Sequence, residues 1–377
     1  MFDLSSKCQG QVLKKWRLFQ ATDFQSLMYP CFIFCHILGI FPYKINASTF
    51  KISKQCYVLS TVVICAVCIY EFKLFYDFTI SERIEFGNLP WILEGTCYYA
   101  LSSFIVIVTY ILSGPRMRLL QIIMDVSSKL PSETYKKLSK MIHTKDIFSF
   151  FFLIIVMLIS YNKLNYHLTL ELYTIYISLV VFQMDMLYLN CVCILKACFK
   201  RINDNLVNFR EPVLKDVPHL FNRTHHKQGN PFPLMELKAL KKQHMMISDT
   251  VQMLNLVFSL QLLASIIITF CEITFSLYFY ASQWPIFTYE LHNDLWYSYF
   301  LVFIINYQSL KILSIVWACE TGKNQALEIG TTIHVVFNSI SDEDVKNELQ
   351  LFSLQILQRK NIFSAKGLKV DATLLAA

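Results

Sequence analysis

Charge is what this sequence has least of. Asp, Glu, Lys and Arg make up only 16% of its 377 residues, against about 25% in an ordinary soluble domain. That shortage excludes a solvated globular protein. With 55% hydrophobic residues, including 31 Phe and 20 Tyr, there is more apolar surface than one core can hide, whereas a bilayer accepts it. Glycine and proline are also scarce, at 9 and 10 residues. Small-solute carriers bind at internal repeats and at spans broken by these residues, but the apolar runs here contain only Pro90 and Gly95 and show no repeat. Catalytic signatures are missing as well. There is no His-Glu-x-x-His, no glycine-rich phosphate loop and no Gly-x-Ser-x-Gly, so neither an enzyme nor a cofactor is implied. Twelve Cys are present, many inside apolar runs, such as Cys65, Cys68, Cys97, Cys191, Cys193 and Cys271. Cys31/Cys35 and Cys65/Cys68 have helical spacing, but no His or second Cys pair completes a metal site, and they read as packing residues. The net charge of +7 is spread between apolar runs without a basic face or binding motif, which leaves nucleic acid without a footprint.

Long hydrophobic runs are what the sequence has instead. Six are long enough for a crossing of about 20 residues, near 56–77, 90–113, 147–165, 172–195, 254–281 and 295–319. The third is short before Asn162 and Lys163. Tyr29–Tyr43 is shorter and ends in a proline, which suits an interfacial helix over 29–43 better than a span. Lys and Arg number 7 in residues 1–55, 1 in 78–89, 7 in 114–146, 1 in 163–171, 10 in 196–253, none in 282–294 and 6 in 318–377. The alternation is unbroken. Basic segments resist translocation and are held by the anionic leaflet, so the amino terminus is expected in the cytosol. A crossing at 29–43 would move Lys44, Lys51 and Lys54 outside and break the pattern. The expected organisation is an all-α integral membrane bundle. Residues 1–55 form a cytosolic amino-terminal region, 56–195 the first four spans, and 196–253 a cytosolic loop and helix. Residues 254–319 supply the fifth and sixth spans, and 320–377 further cytosolic helices. The first 28 residues are polar and amphipathic, with no cleavage site after the first apolar stretch, so no cleavable signal is expected. The sequons at Asn46 and Asn222 fall on the cytosolic side and should stay unmodified.

Polar groups inside spans are costly and point to function. Asp185 lies near the middle of the fourth span and Lys311 at similar depth in the sixth, about three residues or ~4.5 Å apart by helical rise. They are expected to pair, directly or through Gln308, with Gln183 in the same network. Glu94, Tyr98 and Tyr99 lie toward the outer end of the second span and Glu272 in the outer third of the fifth. They share that depth with Trp91, Tyr173, Tyr176, Tyr297 and Phe300. Ring faces and a few carboxylates at one depth suit a cavity for a small polar or semi-polar ligand, while any one of these rings alone suits core packing or an interfacial belt. Glu71 and Lys73 read as interface anchors at the outer end of the first span.

Within 196–253, Pro212, Pro218, Gly229, Pro231 and Pro233 mark an irregular stretch, and His225 and His226 there read as solvated rather than metal-binding. Leu234, Leu237, Leu240, His244 and Ile247 restore helical spacing and run unbroken into the fifth span. Two further amphipathic segments are expected at 323–339 and 342–360. The second has Ser341 as its N-cap and Leu349, Phe352, Ile356 and Leu357 as its apolar stripe.

Four segments in chain order resemble the insect gustatory receptor family. They are His36-Ile37-Leu38-Gly39-Ile40-Phe41-Pro42-Tyr43; Phe182 to Tyr188 with Asn190-Cys191-Val192 and Ile202 to Leu206; His244 to Asp249 with Leu254-Asn255 and Gln261-Leu262-Leu263; and Phe352-Ser353-Leu354-Gln355 with Phe363-Ser364-Ala365-Lys366-Gly367 and Val370-Asp371. The family is similar in architecture to insect odorant receptors. The resemblance implies seven spans, a cytosolic amino terminus and tetrameric ligand-gated cation channels. It also places the ligand site in the outer half of the bundle and an intersubunit anchor beneath the bilayer. The family's last span carries a Thr-Tyr-x-x-x-x-x-Gln signature and lines the pore. This sequence stops at Asp371-Ala372-Thr373-Leu374-Leu375-Ala376-Ala377, where that helix should begin. The expectation is therefore a chemosensory channel subunit in the plasma membrane, whose sequence either is incomplete at this point or lacks its own pore helix. It would take a small-molecule tastant and form homo- or hetero-tetramers with other gustatory receptor subunits. The alternatives are a small-solute transporter and a metabotropic seven-helix receptor. The inside amino terminus, together with the absence of Glu/Asp-Arg-Tyr and of an intramembrane Asn-Pro-x-x-Tyr, argues against the latter.

Overall fold

The computed structural model describes residues 18–46, 49–79, 89–161, 168–215, 231–283 and 293–375. The stretch 216–230, with His225, His226 and the Asn222 sequon, and the polar break at Asn162 and Lys163 lie outside them. Among the described residues there are nine α-helices and two short hairpins, in the order α1 Phe24–Ile37, β1 Tyr43–Asn46, β2 Thr49–Ile52, α2 Lys54–Thr79, α3 Leu89–Ile111, α4 Ser113–Ser127, α5 Ser132–Tyr161, α6 Leu168–Lys215, α7 Pro231–Gln283, α8 Asn293–Ser339, α9 Glu343–Gln358, β3 Ser364–Ala365 and β4 Leu368–Lys369. A 3-10 turn over Ala372–Leu375 follows.

Six helices, α2, α3 and α5 to α8, are long and apolar enough to cross a membrane, and each overlaps one of the expected spans, although α3 ends at Ile111 and the end of the 147–165 span lies outside the described residues. Their burial differs in a way that sets the architecture. The apolar window of α6 is 89% buried, whereas those of α2 and α5 are only 17% buried. Thus α6 is the central post and α2 and α5 are outer staves. The staves leave Val58, Val62, Ile69 and Phe72 of α2, and Phe148, Phe151 and Leu158 of α5, exposed. Apolar faces of this extent are what a lipid environment covers.

The segments between spans are far more helical than loops. α6, α7 and α8 run for 48, 53 and 47 residues, about 70–80 Å at 1.5 Å per residue, more than twice the ~30 Å hydrocarbon core. The continuation of α7 back to Pro231 agrees with the unbroken spacing from Leu234 onward. Two expectations are corrected. Residues 323–339 are not a separate helix but the last third of α8, which runs through Gly322 and Gly330 without interruption. The N-cap of α9 is Asp342, whose carboxylate accepts from the amides of Asp344 and Val345, and not Ser341. The extensions pack on one another. Val345, Leu349 and Phe352 of α9 are buried, and His244 of α7 sits between Phe199 and Phe352, with ring centroids 5.9 and 5.5 Å away. Lys241 reaches Glu348 at 2.5 Å.

The expected 29–43 helix begins five residues earlier and ends six residues sooner. Asp23 and Ser26 cap it reciprocally, the Asp23 carboxylate accepting from the Ser26 amide at 2.8 Å. Its end is set by Gly39, in the left-handed region at φ +70°, with the Ile40 amide donating to Cys35 at 3.1 Å. α1 buries Phe24, Leu27, Met28, Cys31, Phe32 and Cys35 against α4, α5 and α6. Phe41, from the Gly39-Ile40-Phe41-Pro42 turn, stacks on Phe32 at 5.2 Å, and Phe50 from β2 meets both rings edge-on. This aromatic knot is what the Leu-Gly-Ile-Phe-Pro-Tyr segment builds. Arg116, counted among the basic residues between the second and third spans, is also inside. Its guanidinium lies 5.1 Å over the Phe258 ring and donates to the Thr109 carbonyl at 3.0 Å, and burial lowers its pKa to about 10.

At the other end of the chain, Lys366 and Gly367 both have positive φ and turn β3 into β4. Asn255 of α7 clamps this hairpin. Its amide nitrogen donates to the Ile362 carbonyl at 2.7 Å, and its oxygen accepts from the Ser364 amide at 3.2 Å. Beyond it, Asp371 accepts from the Thr373 hydroxyl and meets Lys323 at 3.3 Å, contacts that hold its carboxyl below the usual range. Replacing Asn255 by Ala removes both clamp bonds and leaves two strand groups unmatched. We expect a loss of about 1–3 kcal/mol, read as a lower thermal midpoint of the purified chain in detergent. An unchanged midpoint would show that the clamp is not structural.

Candidate functional site

Five helices converge on a cavity of about 250 Å³. α3 brings Trp91, Glu94, Gly95, Tyr98 and Tyr99 to it, at intervals of three, four, seven and eight residues that form one helical face. α6 brings Glu171, Thr174, Ile175, Ser178, Val181 and Phe182 by the same rule. α8 adds Phe300, Leu301, Ile304, Tyr307, Gln308 and Lys311, α7 adds Ile268, Glu272 and Phe279, and α5 closes the side with Leu153, Val156 and Met157.

The walls are tied together by hydroxyls. Tyr98 bonds Ser178 at 2.5 Å and Tyr99 bonds Thr174 at 3.0 Å, so two rings of α3 are pinned to α6. Trp91 stacks on Phe279 of α7 at 4.1 Å with 19° between planes. Pinned rings make a preformed wall rather than a collapsible one. Glu94 and Glu272 also face the cavity, and neither forms a hydrogen bond or ion pair among the described residues.

Lys311 marks the inner end. Its ammonium is 3.6 Å from Asp185, with the two side chains 5% and 1% exposed. Ser265 of α7 joins them, donating to Asp185 Oδ2 at 2.7 Å and accepting from Lys311 Nζ at 3.3 Å. Gln308 is beside this unit and accepts from Thr269 at 3.4 Å. The bridging residue is therefore Ser265 and not Gln308. A hydroxyl in an apolar run carried no signal that it would meet a carboxylate 80 residues earlier.

The structure brings five of the expected ligand-site residues, Glu94, Tyr98, Tyr99, Glu272 and Phe300, around this one space. Tyr173 and Tyr176 are elsewhere. On α6 the cavity face runs through 171, 174, 175 and 178, and the residues between them point away. Tyr173 bonds Ser103 at 2.7 Å and Glu71 at 2.8 Å, and Tyr176 donates to the Leu38 carbonyl at 3.2 Å. Glu71 is thereby a half-buried acceptor between α2, α3 and α6 and not an interface anchor. The side chain of Tyr297 lies outside the described residues. Gln183 leaves the expected polar network for the same helical reason. Two residues from Asp185, it faces α1 and donates to the Cys31 carbonyl at 3.0 Å. The cavity residues that sequence reading passed over, Glu171, Thr174, Ser178 and Tyr307, share helical registers with Tyr98, Tyr99 and Lys311 partners. That register becomes visible only once the facing helices are known.

Over residues 28–375 the chain matches a sequence model described as 7tm Chemosensory receptor. No curated protein sequence matches it. Among solved structures, it is similar in fold to the insect olfactory receptor OR5 from Machilis hrabei, at 13% identity and a TM-score of 0.67, covering 93% of this chain and 94% of that one. The same receptor in complex with eugenol aligns over the same shares at 14% identity and a TM-score of 0.64.

The Asp185–Lys311 pair can be tested by a double-mutant cycle. Asp185→Asn and Lys311→Met should each lose about 3–5 kcal/mol, since each leaves one buried charge alone, and the double variant should recover part of the loss. Purely additive losses in folded yield and thermal midpoint would dismiss the pairing.

Proposed function

The chain belongs to the 7tm chemosensory receptor family, and we propose that it is a gustatory receptor, a ligand-gated cation channel subunit that detects small-molecule tastants. One observation carries this reading: a cavity of about 250 Å³ between membrane-crossing helices, walled by pinned aromatic rings and lined by two carboxylates that form no ion pair among the described residues. Ring faces hold a flat or apolar body, and the few polar groups select its orientation. The OR5 receptor, similar in fold, has been solved with the small molecule eugenol, which supports a small-molecule ligand here. The gustatory rather than olfactory reading rests on the four ordered segments from His36 to Asp371 described above.

Occupancy of the cavity would be felt at the Asp185–Ser265–Lys311 unit, because Lys311 belongs to both. That unit joins α6, α7 and α8, and the long extensions of α7 and α8 carry α9. Such extensions suit assembly beneath the bilayer into homo- or hetero-tetramers with other gustatory receptor subunits. The alternating Lys and Arg counts support a plasma-membrane protein with a cytosolic amino terminus.

Gly95 offers a direct test, since a Cβ there meets only the Tyr99 ring, at 3.9 Å, while a larger side chain enters the cavity. In cells expressing the chain with other family subunits, tastant-evoked currents should vanish in Gly95→Phe with surface delivery unchanged. Undiminished currents would remove the cavity from the mechanism. For orientation, a tag placed before Phe24 should be reached by antibody only after permeabilisation. Labelling of intact cells would reverse the topology and favour the metabotropic alternative.

A further inference from the structure

Glu94 and Glu272 are an unusual pair of groups for an apolar cavity. They come from different helices, α3 and α7, and face the same space without a hydrogen bond or ion pair among the described residues. The ammonium that also lines the cavity, Lys311, is already engaged by Asp185 and Ser265. A third carboxylate, Glu171, stands in the first turn of α6, where the helix amino terminus itself favours negative charge. Among the described residues, neither of the two remaining carboxylates has a cation within hydrogen-bonding reach. Independently, Gln308 is only 7% exposed and uses its carbonyl oxygen on Thr269, while its amide nitrogen has no partner among the described residues. It offers a neutral donor at the inner end, away from the carboxylates.

Aromatic faces attract cations as well as apolar groups, and the rings here are held in place rather than free to fold over a smaller guest. Size narrows the guest further. A cavity of about 150 Å³ holds one benzene ring, so about 250 Å³ accommodates a ring with a short polar chain. On the reading of this cavity as the ligand site, we infer that it takes a small organic cation, a protonated amine on an aromatic body. The ammonium lies against Glu94 and Glu272, and the ring lies against the stacked Trp91–Phe279 pair and Phe300. The selectivity is electrostatic. A neutral compound of the same shape leaves both carboxylates desolvated without a partner, and an anion adds repulsion.

Three compounds of matched size separate these terms: 2-phenylethylamine, 2-phenylethanol and phenylacetate. Calorimetry on the full chain in lipid nanodiscs should find the amine bound at least about tenfold more tightly than the alcohol, with phenylacetate weakest. Glu94→Gln and Glu272→Gln should each weaken the amine by about tenfold while the alcohol binds as tightly as before or more tightly, because Gln removes a desolvated charge; retained alcohol binding also reports that the variants are folded. Gly95→Phe should abolish binding of the amine. An alcohol that binds as well as the amine, or an amine indifferent to both Gln substitutions, overturns the cation inference and leaves the cavity as the ligand site. Amine binding that survives Gly95→Phe overturns it too, because the amine is then held elsewhere. Failure of all three compounds to bind at millimolar concentration overturns the cation inference together with the cavity reading.

Discussion

A carboxylate and an ammonium share the centre of the helical bundle, and much of the architecture follows from keeping them there. Either charge alone in an apolar span costs a few kcal/mol. Asp185 and Lys311 meet that constraint by facing each other across α6 and α8, with the Ser265 hydroxyl of α7 filling the gap. The unit makes three helices mutually dependent, and it places α6 where neither charge touches lipid. The 89% burial of the α6 window is the structural counterpart. The cavity is built directly against this unit, sharing Lys311 and Gln308 with it.

Around that post the remaining helices divide the labour. α3 and α6 are stitched by Tyr98–Ser178 and Tyr99–Thr174 and form the rigid side of the cavity. α2 and α5 carry apolar faces outward, as expected of helices in contact with lipid. The aromatic knot of Phe32, Phe41 and Phe50 seats α1 against α4, α5 and α6, and Asn255 holds the final hairpin on α7. These two locks account physically for segments whose resemblance to a receptor family would otherwise be only a pattern of letters. Leu-Gly-Ile-Phe-Pro-Tyr is a helix stop followed by an aromatic plug. Asn255 and Phe363-Ser364-Ala365-Lys366-Gly367 are two halves of one contact.

How much could be read in advance depended on the range of the physics involved. Hydropathy and charge act over a local window, so the six spans and the run from Leu234 into the fifth were legible. The depth of Asp185 and Lys311 was legible for the same reason, because rise per residue measures depth. Rotation about the helix axis was not. Tyr173 and Tyr176 have the same depth as Tyr98 but face other neighbours, and Gln183 faces away from Asp185 although it stands only two residues before it. The long extensions of α6 and α8 were read as loops or separate segments because their apolar positions are sparse and become a stripe only when α7 and α9 lie against them.

By itself, then, the sequence determined that this is a helical membrane protein and which segments are long and apolar enough to cross. Those properties follow from transferring short segments between water and lipid, segment by segment. Only the tertiary structure decided which polar groups meet. It made Ser265 the bridge, set Glu94 opposite Glu272 across one cavity, and turned Glu71 inward. Such meetings depend on the azimuth and packing order of helices far apart in the chain, which no local periodicity encodes.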